Sequence, residues 1–384
     1  LSEYKFITWI KNLKPKFIIK LNSNLMKMRL ISTLFVLAAI SFSCSSGGGS
    51  EKSDKKEYAK VTKEEWQMAK RMFDQQPATA PVKDDNPLND AKVKLGQMLY
   101  HDTRLSNDGN ISCNSCHNLA TFGVDNLPTS PGDTQVNGER NSPTVYNAAF
   151  DFVQFWDGRA ADVEEQALGP ILNPVEHAMK DEKQVVSRLS EVAEYVKLFK
   201  EAFPNEKKPL TFNNVGKAIG AFERTLVFPS RFDRFMEKET SSFLLTAKEA
   251  QGLRDFQEAG CTTCHAGNQL GAQMYQKFGL YGDYWTMTGS KLLASGHYDE
   301  GRKDATGNES DKYFFKVPSL RNITKTAPYF HDGSVAKLED AIKIMAKLQS
   351  NKDLNEEQVS NIAAFLKSLE SKIPEDITKA PVLP

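Results

Sequence analysis

Four of the five cysteines in this chain lie in two pentapeptides, CNSCH at 113–117 and CTTCH at 261–265. Two thiols separated by two residues and followed at once by a histidine form the attachment pattern of c-type haem. The thiols add to the two porphyrin vinyl groups, and the histidine ligates the iron from one side. A zinc site can also be built from cysteine and histidine, but here a histidine follows both pairs directly. A redox dithiol expects a βαβ setting, which the surrounding sequence lacks. Each motif therefore predicts a domain that wraps a large apolar cofactor. At roughly 100–200 residues per domain, 384 residues accommodate two.

The sequence around the motifs repeats in the same order. NPLNDAKVKLGQMLYHD places Leu88, Val93, Leu95, Met98 and Leu99 at near-helical spacing, with a start signal at Asn86 and Pro87, and the first pentapeptide follows. TFNNVGKAIGAFERTLVF then puts Val215, Ile219, Phe222 and Leu226 on one face. In the second half, a helix is expected after Thr246 with Leu253 and Phe256 inward. CTTCH follows, and a terminal helix carries Val359, Ile362, Phe365, Leu366 and Leu369. Alternating strand patterns are scarce. The expected fold is mainly α, two cytochrome c-like helical domains with one covalently attached haem each, over 61–240 and 241–384. Gly- and Pro-rich loops such as TSPGDTQVNGERNSPT would wrap the cofactors.

The first 60 residues differ from the rest. Lys27 and Arg29 precede an apolar run from Leu30 to Ile40 and then Cys44, the layout of an export signal with a lipoprotein-like cysteine. The run is well short of the ~18–20 residues of a membrane span. Residues 45–60, with SSGGGS, read as a flexible tether. Met26 or Met28 lies nearest the basic residues, so residues 1–25 are expected to be upstream translated sequence. The expected location is the periplasm, with a lipid anchor at Cys44. Lysine plus arginine equals aspartate plus glutamate at 49 each, and nothing argues for nucleic acid, which would want a basic excess.

The position opposite each histidine decides what a haem does. A side chain there suits electron transfer, and an open face admits small oxygen species. In the second half the candidates are Met274, Met287, Met345, His297 and His331. In the first half they are Met98, Met179 and His177, with Glu176 beside the last. A carboxylate at an open face suits proton transfer in peroxide cleavage.

Over about residues 85–384 the chain closely resembles the bacterial dihaem cytochrome c peroxidases. The carrying stretches are DTRLSNDGNISCNSCHN, RNSPTVYNAAF, FWDGRAADVEEQALGPILNPVE, FKVPSLRNITKTAPYFHDGSVAKLEDAIKIMAKLQ and IAAFLKSL. The resemblance implies that Cys113, Cys116 and His117 hold a low-potential peroxidatic haem. Cys261, Cys264 and His265 then hold a high-potential haem whose second axial ligand is Met345. It places Trp156 between the haems, Gln166 and Glu176 over the peroxidatic iron, and a calcium ion on Asn141 and the carbonyls of Thr326 and Pro328. His331 becomes a hydrogen-bonded loop histidine. Hydrogen peroxide is the implied substrate, a small cytochrome c or cupredoxin the electron donor, and a homodimer the assembly. A dihaem oxidase of a partner protein, of the methylamine-utilisation type, is an alternative. There a tyrosine replaces the axial methionine, so Met345 argues against it. A pure dihaem electron carrier is another, disfavoured by Glu176 and Gln166.

One departure from the family pattern concerns regulation. Many relatives carry, at the position of Asp133, a histidine that caps the peroxidatic iron in the oxidised state. Aspartate is a poor substitute for a neutral nitrogen ligand, so this loop is not expected to cap the iron. His177, where relatives often have methionine, is a spare candidate.

Overall fold

The computed structural model describes residues 61–239 and 244–384. The export signal, Cys44 and the tether expected before residue 61 lie outside the described residues. The helices are α1 (Lys63–Met72), α2 (Asp90–His101), α3 (Cys113–Cys116), α4 (Val163–Gln166), α5 (Gly169–Leu172), α6 (Glu182–Ser190), α7 (Ala193–Ala202) and α8 (Phe212–Glu223). After them come α9 (Arg231–Glu237), α10 (Ala247–Glu258), α11 (Tyr284–Thr288), α12 (Arg302–Thr306), α13 (Leu338–Ser350) and α14 (Glu356–Lys367). Strands β1 (Tyr275–Lys277) and β2 (Phe314–Lys316) form one antiparallel pair with Gln276 opposite Phe315.

The expected helices form where their caps allow. Thr211 accepts from the Asn214 N–H at the start of α8, and Asn355 from the Gln358 N–H at the start of α14. Thr246 and Glu249 make a reciprocal capping box on α10. Helix α2 starts later than Asn86 because that side chain has other partners. It donates to Glu164 Oε1 at 3.0 Å and accepts from Lys92 Nζ at 2.8 Å, and Asn89 caps the helix instead.

The repeat seen in the sequence becomes the same crossing made twice. Helix α2 packs on α8, and α10 on α14. At the first crossing a Cβ on Gly96 would lie 1.8 Å from the Ala218 carbonyl oxygen. At the second, a Cβ on Gly252 would lie 1.8 Å from that of Asn361. Glycine lets the two backbones touch. Leu95, Leu99, Val215, Ile219, Phe222 and Leu226 then bury one core. Leu253, Phe256, Ile362, Phe365, Leu366 and Leu369 bury the other. Each such side chain contributes roughly 1.5–3 kcal/mol.

The cores do not divide the chain at 240/241. Helix α1 packs on the second core through Ala69, and Trp66 Nε1 donates to the Phe235 carbonyl at 3.0 Å. Phe232, Phe235 and Met236 of α9 also belong there. The C-terminal tail returns to the first core through Ile373 and Ile377. The described residues thus form one compact unit in which α1 and the C-terminal tail each pack on the core distant from them in sequence.

Gly96→Ala and Gly252→Ala should each destabilise the holoprotein by about 1–3 kcal/mol through overpacking, read as a lowered Tm. Gly138→Ala, whose Cβ meets nothing within 4 Å, should leave Tm unchanged.

Candidate haem-binding and peroxide site

The first pentapeptide is a single helical turn, α3, with His117 at its C-terminal cap. His117 Nδ1 lies 2.9 Å from the Pro143 carbonyl. A carbonyl can only accept, so Nδ1 carries the proton and Nε2 keeps a lone pair for a metal. Burial holds the imidazole pKa below its usual value, which keeps the ring neutral. The Tyr100 hydroxyl donates to the His117 carbonyl at 2.5 Å and fixes the turn on α2. The second pentapeptide follows Gly260, whose φ of +83° suits glycine. His265 repeats the arrangement, with Nδ1 at 2.9 Å from the Leu270 carbonyl and burial again lowering its pKa.

All four cysteines are free. Burial pushes Cys116 up to about 11 and Cys261 up to about 12.

His265, Cys261 and Cys264 line a cavity of about 300 Å³ with Met345 on another wall. Among the methionine candidates of the second half, Met345 lines this cavity; Met274 and Met287 are exposed at the surface. His297 is exposed as well. In the first half, Met179 is buried in the core and Met98 packs against it.

Glu176 sits in the loop after α5, half-buried, and its Oε1 accepts from Asn173 Nδ2 at 2.8 Å. Burial raises its pKa, and the positive charge of Arg159 opposes the rise. Its charge raises the pKa of both Cys113 and Cys116, as the smallest of the causes acting on each, so the carboxyl lies within electrostatic reach of the first pentapeptide. Gln166 ends α4 and is half-buried. No hydrogen bond joins it to Glu176. The surroundings of the two pentapeptides are therefore unequal, one with a half-buried carboxyl within electrostatic reach and one with a methionine lining the same cavity.

Trp156 lines the cavity of the second site, although it belongs to the first half of the sequence. Its Nε1 donates to the Asn141 carbonyl at 2.9 Å, and its own carbonyl accepts from the Lys316 N–H at 2.7 Å. Asn141, Thr326 and Pro328 line the same cavity. Asn141 Nδ2 is taken by the Leu127 carbonyl at 2.8 Å, which leaves its oxygen available.

His331 differs from expectation. It lines the cavity and stacks on Phe315 with ring centroids 4.4 Å apart, yet its Nε2 has no hydrogen-bond partner. Its nearest anionic neighbour, Asp299, is 3.8 Å away.

Asp133 is buried and its carboxylate is engaged. It accepts from the Asp108 N–H at 2.6 Å and the Asn110 N–H at 3.0 Å, while its own N–H donates to the Glu176 carbonyl at 2.8 Å. Its pKa is lowered: burial alone would raise it, but the two backbone donors outweigh that. His177 is buried beside it, with Nδ1 at 3.1 Å from the Leu105 carbonyl and a pKa lowered by burial to about 4. The substituted position thus staples its loop to the turn that precedes CNSCH.

Sequence reading missed Tyr100, Arg140 and Glu223. Glu223 is buried next to the first site, where burial and then Glu164 push it up to about 8. It follows Phe222 on a helix end, a position that reads as exposed. Arg140 lies in the turn-rich GERNSPT segment, where a charged residue reads as solvated.

The profile of the di-haem cytochrome c peroxidases matches residues 90–241. The cytochrome c551 peroxidase of Pseudomonas aeruginosa is 45% identical over 78% of this chain and 83% of its own length. That of Nitrosomonas europaea is 43% identical over 79% and 86%. The methylamine utilization protein MauG of Methylorubrum extorquens is 32% identical over 80% and 86%. A solved MauG-like protein associated with microbial copper homeostasis superposes with TM-score 0.67 at 30% identity, covering 79% of this chain and 95% of its own. The chain belongs to the di-haem cytochrome c peroxidase family. Membership implies two haems and the activity of a cytochrome c peroxidase.

Asp133→Ala should lower stability by about 2–3 kcal/mol, since hydrogen bonds to a charged group are lost. Because its folded pKa is depressed, Asp133 contributes this stability above the unfolded carboxyl range near pH ~3.9. The contribution fades as pH falls through the lower folded value. Thermal unfolding of both proteins at pH 7 and pH 3 checks this: the gap in Tm should narrow at the lower pH.

Proposed function

We propose that this chain reduces hydrogen peroxide to water on the Glu176 side of the first haem, with two electrons taken in at the second haem from a small cytochrome c or cupredoxin. The observation that carries this reading is the asymmetry of the two sites, Glu176 beside Cys113 and Cys116 and Met345 in the cavity of His265. Cys113, Cys116 and His117 would hold one c-type haem covalently, and Cys261, Cys264, His265 and Met345 the other. When bound, the haems supply the iron at which peroxide reacts and through which electrons arrive.

The chain's own residues handle the protons. Glu176, when ionised, takes the proton from one peroxide oxygen and returns it to the leaving oxygen, while Gln166 orients the molecule by hydrogen bonding. Peroxide, two electrons and two protons give two waters. Burial raises the pKa of Glu176 and makes it a stronger base than a surface carboxylate, and Arg159 offsets part of that shift. Trp156 would carry electrons between the haems. The Asn141 oxygen and the carbonyls of Thr326 and Pro328 form an oxygen donor set of the kind calcium takes. The export signal supports a periplasmic location, with Cys44 as a lipid anchor, and the family resemblance supports a homodimer.

Asp133 is engaged with backbone donors and is not free to cap a metal, so we propose that the fully oxidised enzyme reacts with peroxide without prior reduction. Stopped-flow mixing of oxidised and half-reduced holoprotein with peroxide tests this. Comparable second-order rates are expected; a reaction confined to the half-reduced form would contradict it.

Glu176→Gln should slow peroxide turnover by about 10²–10⁴-fold with both haem spectra unchanged, and normal turnover would refute the assignment. In the wild type, activity should fall on the acid side as Glu176 is protonated. The midpoint should lie above that of an ordinary glutamate, about 4.3, as steady-state rates against pH would show. On denaturing gels the chain should keep a haem stain, and Cys113→Ser/Cys116→Ser should retain half of it.

A further inference from the structure

Arg140 is a half-buried cation whose guanidinium meets three carboxylates. Its Nε and Nη2 form a two-pronged pair with Asp299, both at 2.7 Å. Its Nη1 donates to Asp157 at 2.5 Å, and Nη2 also reaches Asp304 at 3.0 Å. A guanidinium in such a setting stays charged and presents its donors in a rigid plane.

The partners of this cluster matter because of where they lie in the chain. Arg140 precedes Asn141, whose carbonyl accepts the Trp156 indole N–H at 2.9 Å. Asp157 follows Trp156. Two backbone links, one hydrogen bond and one ion pair therefore close a ring: Arg140, Asn141, Trp156, Asp157 and back to Arg140. The indole cannot swing without opening it. The ring is then tied to the second half of the chain. Asp299 is held by the Gly301 N–H at 2.8 Å, and its carbonyl by the Tyr284 hydroxyl at 3.0 Å. The Asn141 N–H donates to the His331 carbonyl at 2.7 Å. Arg159 Nη1 donates to Asp157 at 2.8 Å, so two arginines brace that carboxylate.

We infer that Arg140 is the positioning residue of Trp156, holding the indole at a fixed place between the two haem sites so that electrons cross at a steady rate. The inference rests on the reading of Trp156 as the inter-haem aromatic. The step is one electron leaving one haem and arriving at the other, with no bond made or broken. Lysine cannot replace the arginine, because a point-charge ammonium cannot grip Asp299 with two prongs and Asp157 at once.

The test is flash or stopped-flow half-reduction of the holoprotein, followed by redistribution of the electron between the haems. Arg140→Lys and Asp157→Asn should each slow redistribution several-fold, as the indole leaves its fixed place. The visible spectra and midpoint potentials of both haems should stay at wild-type values, which general disruption would not allow. Should Arg140→Lys fail to fold, Asp157→Asn, which keeps the size of the side chain, decides alone. Trp156→Phe separates the two readings. If it redistributes electrons at the wild-type rate, the bridging role of Trp156 is wrong. If it is slowed while Arg140→Lys and Asp157→Asn are not, the positioning role of Arg140 is wrong.

Discussion

The absence of a side chain at Gly96 and Gly252 lets two pairs of helices cross with their backbones in contact. Each crossing buries a strip of leucine, isoleucine and phenylalanine and leaves the chain that follows α2 and α10 to turn back over it. The pentapeptides sit in those turns. Tyr100 shows the coupling directly: it is a core residue of α2, yet its hydroxyl bonds the carbonyl of His117. The histidines then obtain their tautomer from carbonyls of the wrapping loops, Pro143 in one half and Leu270 in the other. Helix packing, turn and metal-ligating nitrogen form one chain of cause.

On this repeated frame the differences lie in the loops. The second site has α13 to present Met345 to its cavity. The first has the 173–177 loop, which presents Glu176 half-buried, where loss of hydration raises its pKa. Arg159 opposes that shift from the segment that also contains Trp156 and Asp157. The same few residues of FWDGR therefore act on the charge of Glu176 and line the cavity of the other site. Helix α1 and the C-terminal tail reinforce the junction, because α1 packs on the second core and the tail on the first.

Much of this was legible in the sequence, because periodicity and fixed spacing are local signals. The α10 helix began where Thr246 announced it, and α8 and α14 bury the apolar faces their periodicity marked. The attachment motifs needed only their own five residues. What was not legible depends on distant partners. Asn86 looked like a helix cap until Glu164 and Lys92 claimed it, which moved the start of α2. The boundary at 240/241 ignored α1 and α9, whose apolar residues fit either core by composition. His331 was expected to be hydrogen-bonded, and its Nε2 lies instead among aromatic rings. Asp133 was read as a missing ligand. Its positive role as a staple for the 106–110 turn requires knowing that two backbone N–H groups point at it.

The central claim is that two attachment motifs of one pattern, CNSCH and CTTCH, would hold haems that differ on the face opposite the histidine, one closed by Met345 and one open. Low-temperature electron paramagnetic resonance of the fully oxidised holoprotein tests it most directly. The account predicts two signals of equal spin count, one low-spin from histidine–methionine ligation and one high-spin from an iron with an open face. Conversion of Met345→Ala should change the low-spin signal alone. Two low-spin signals in the oxidised wild type would contradict the account, because both irons would then be closed to peroxide.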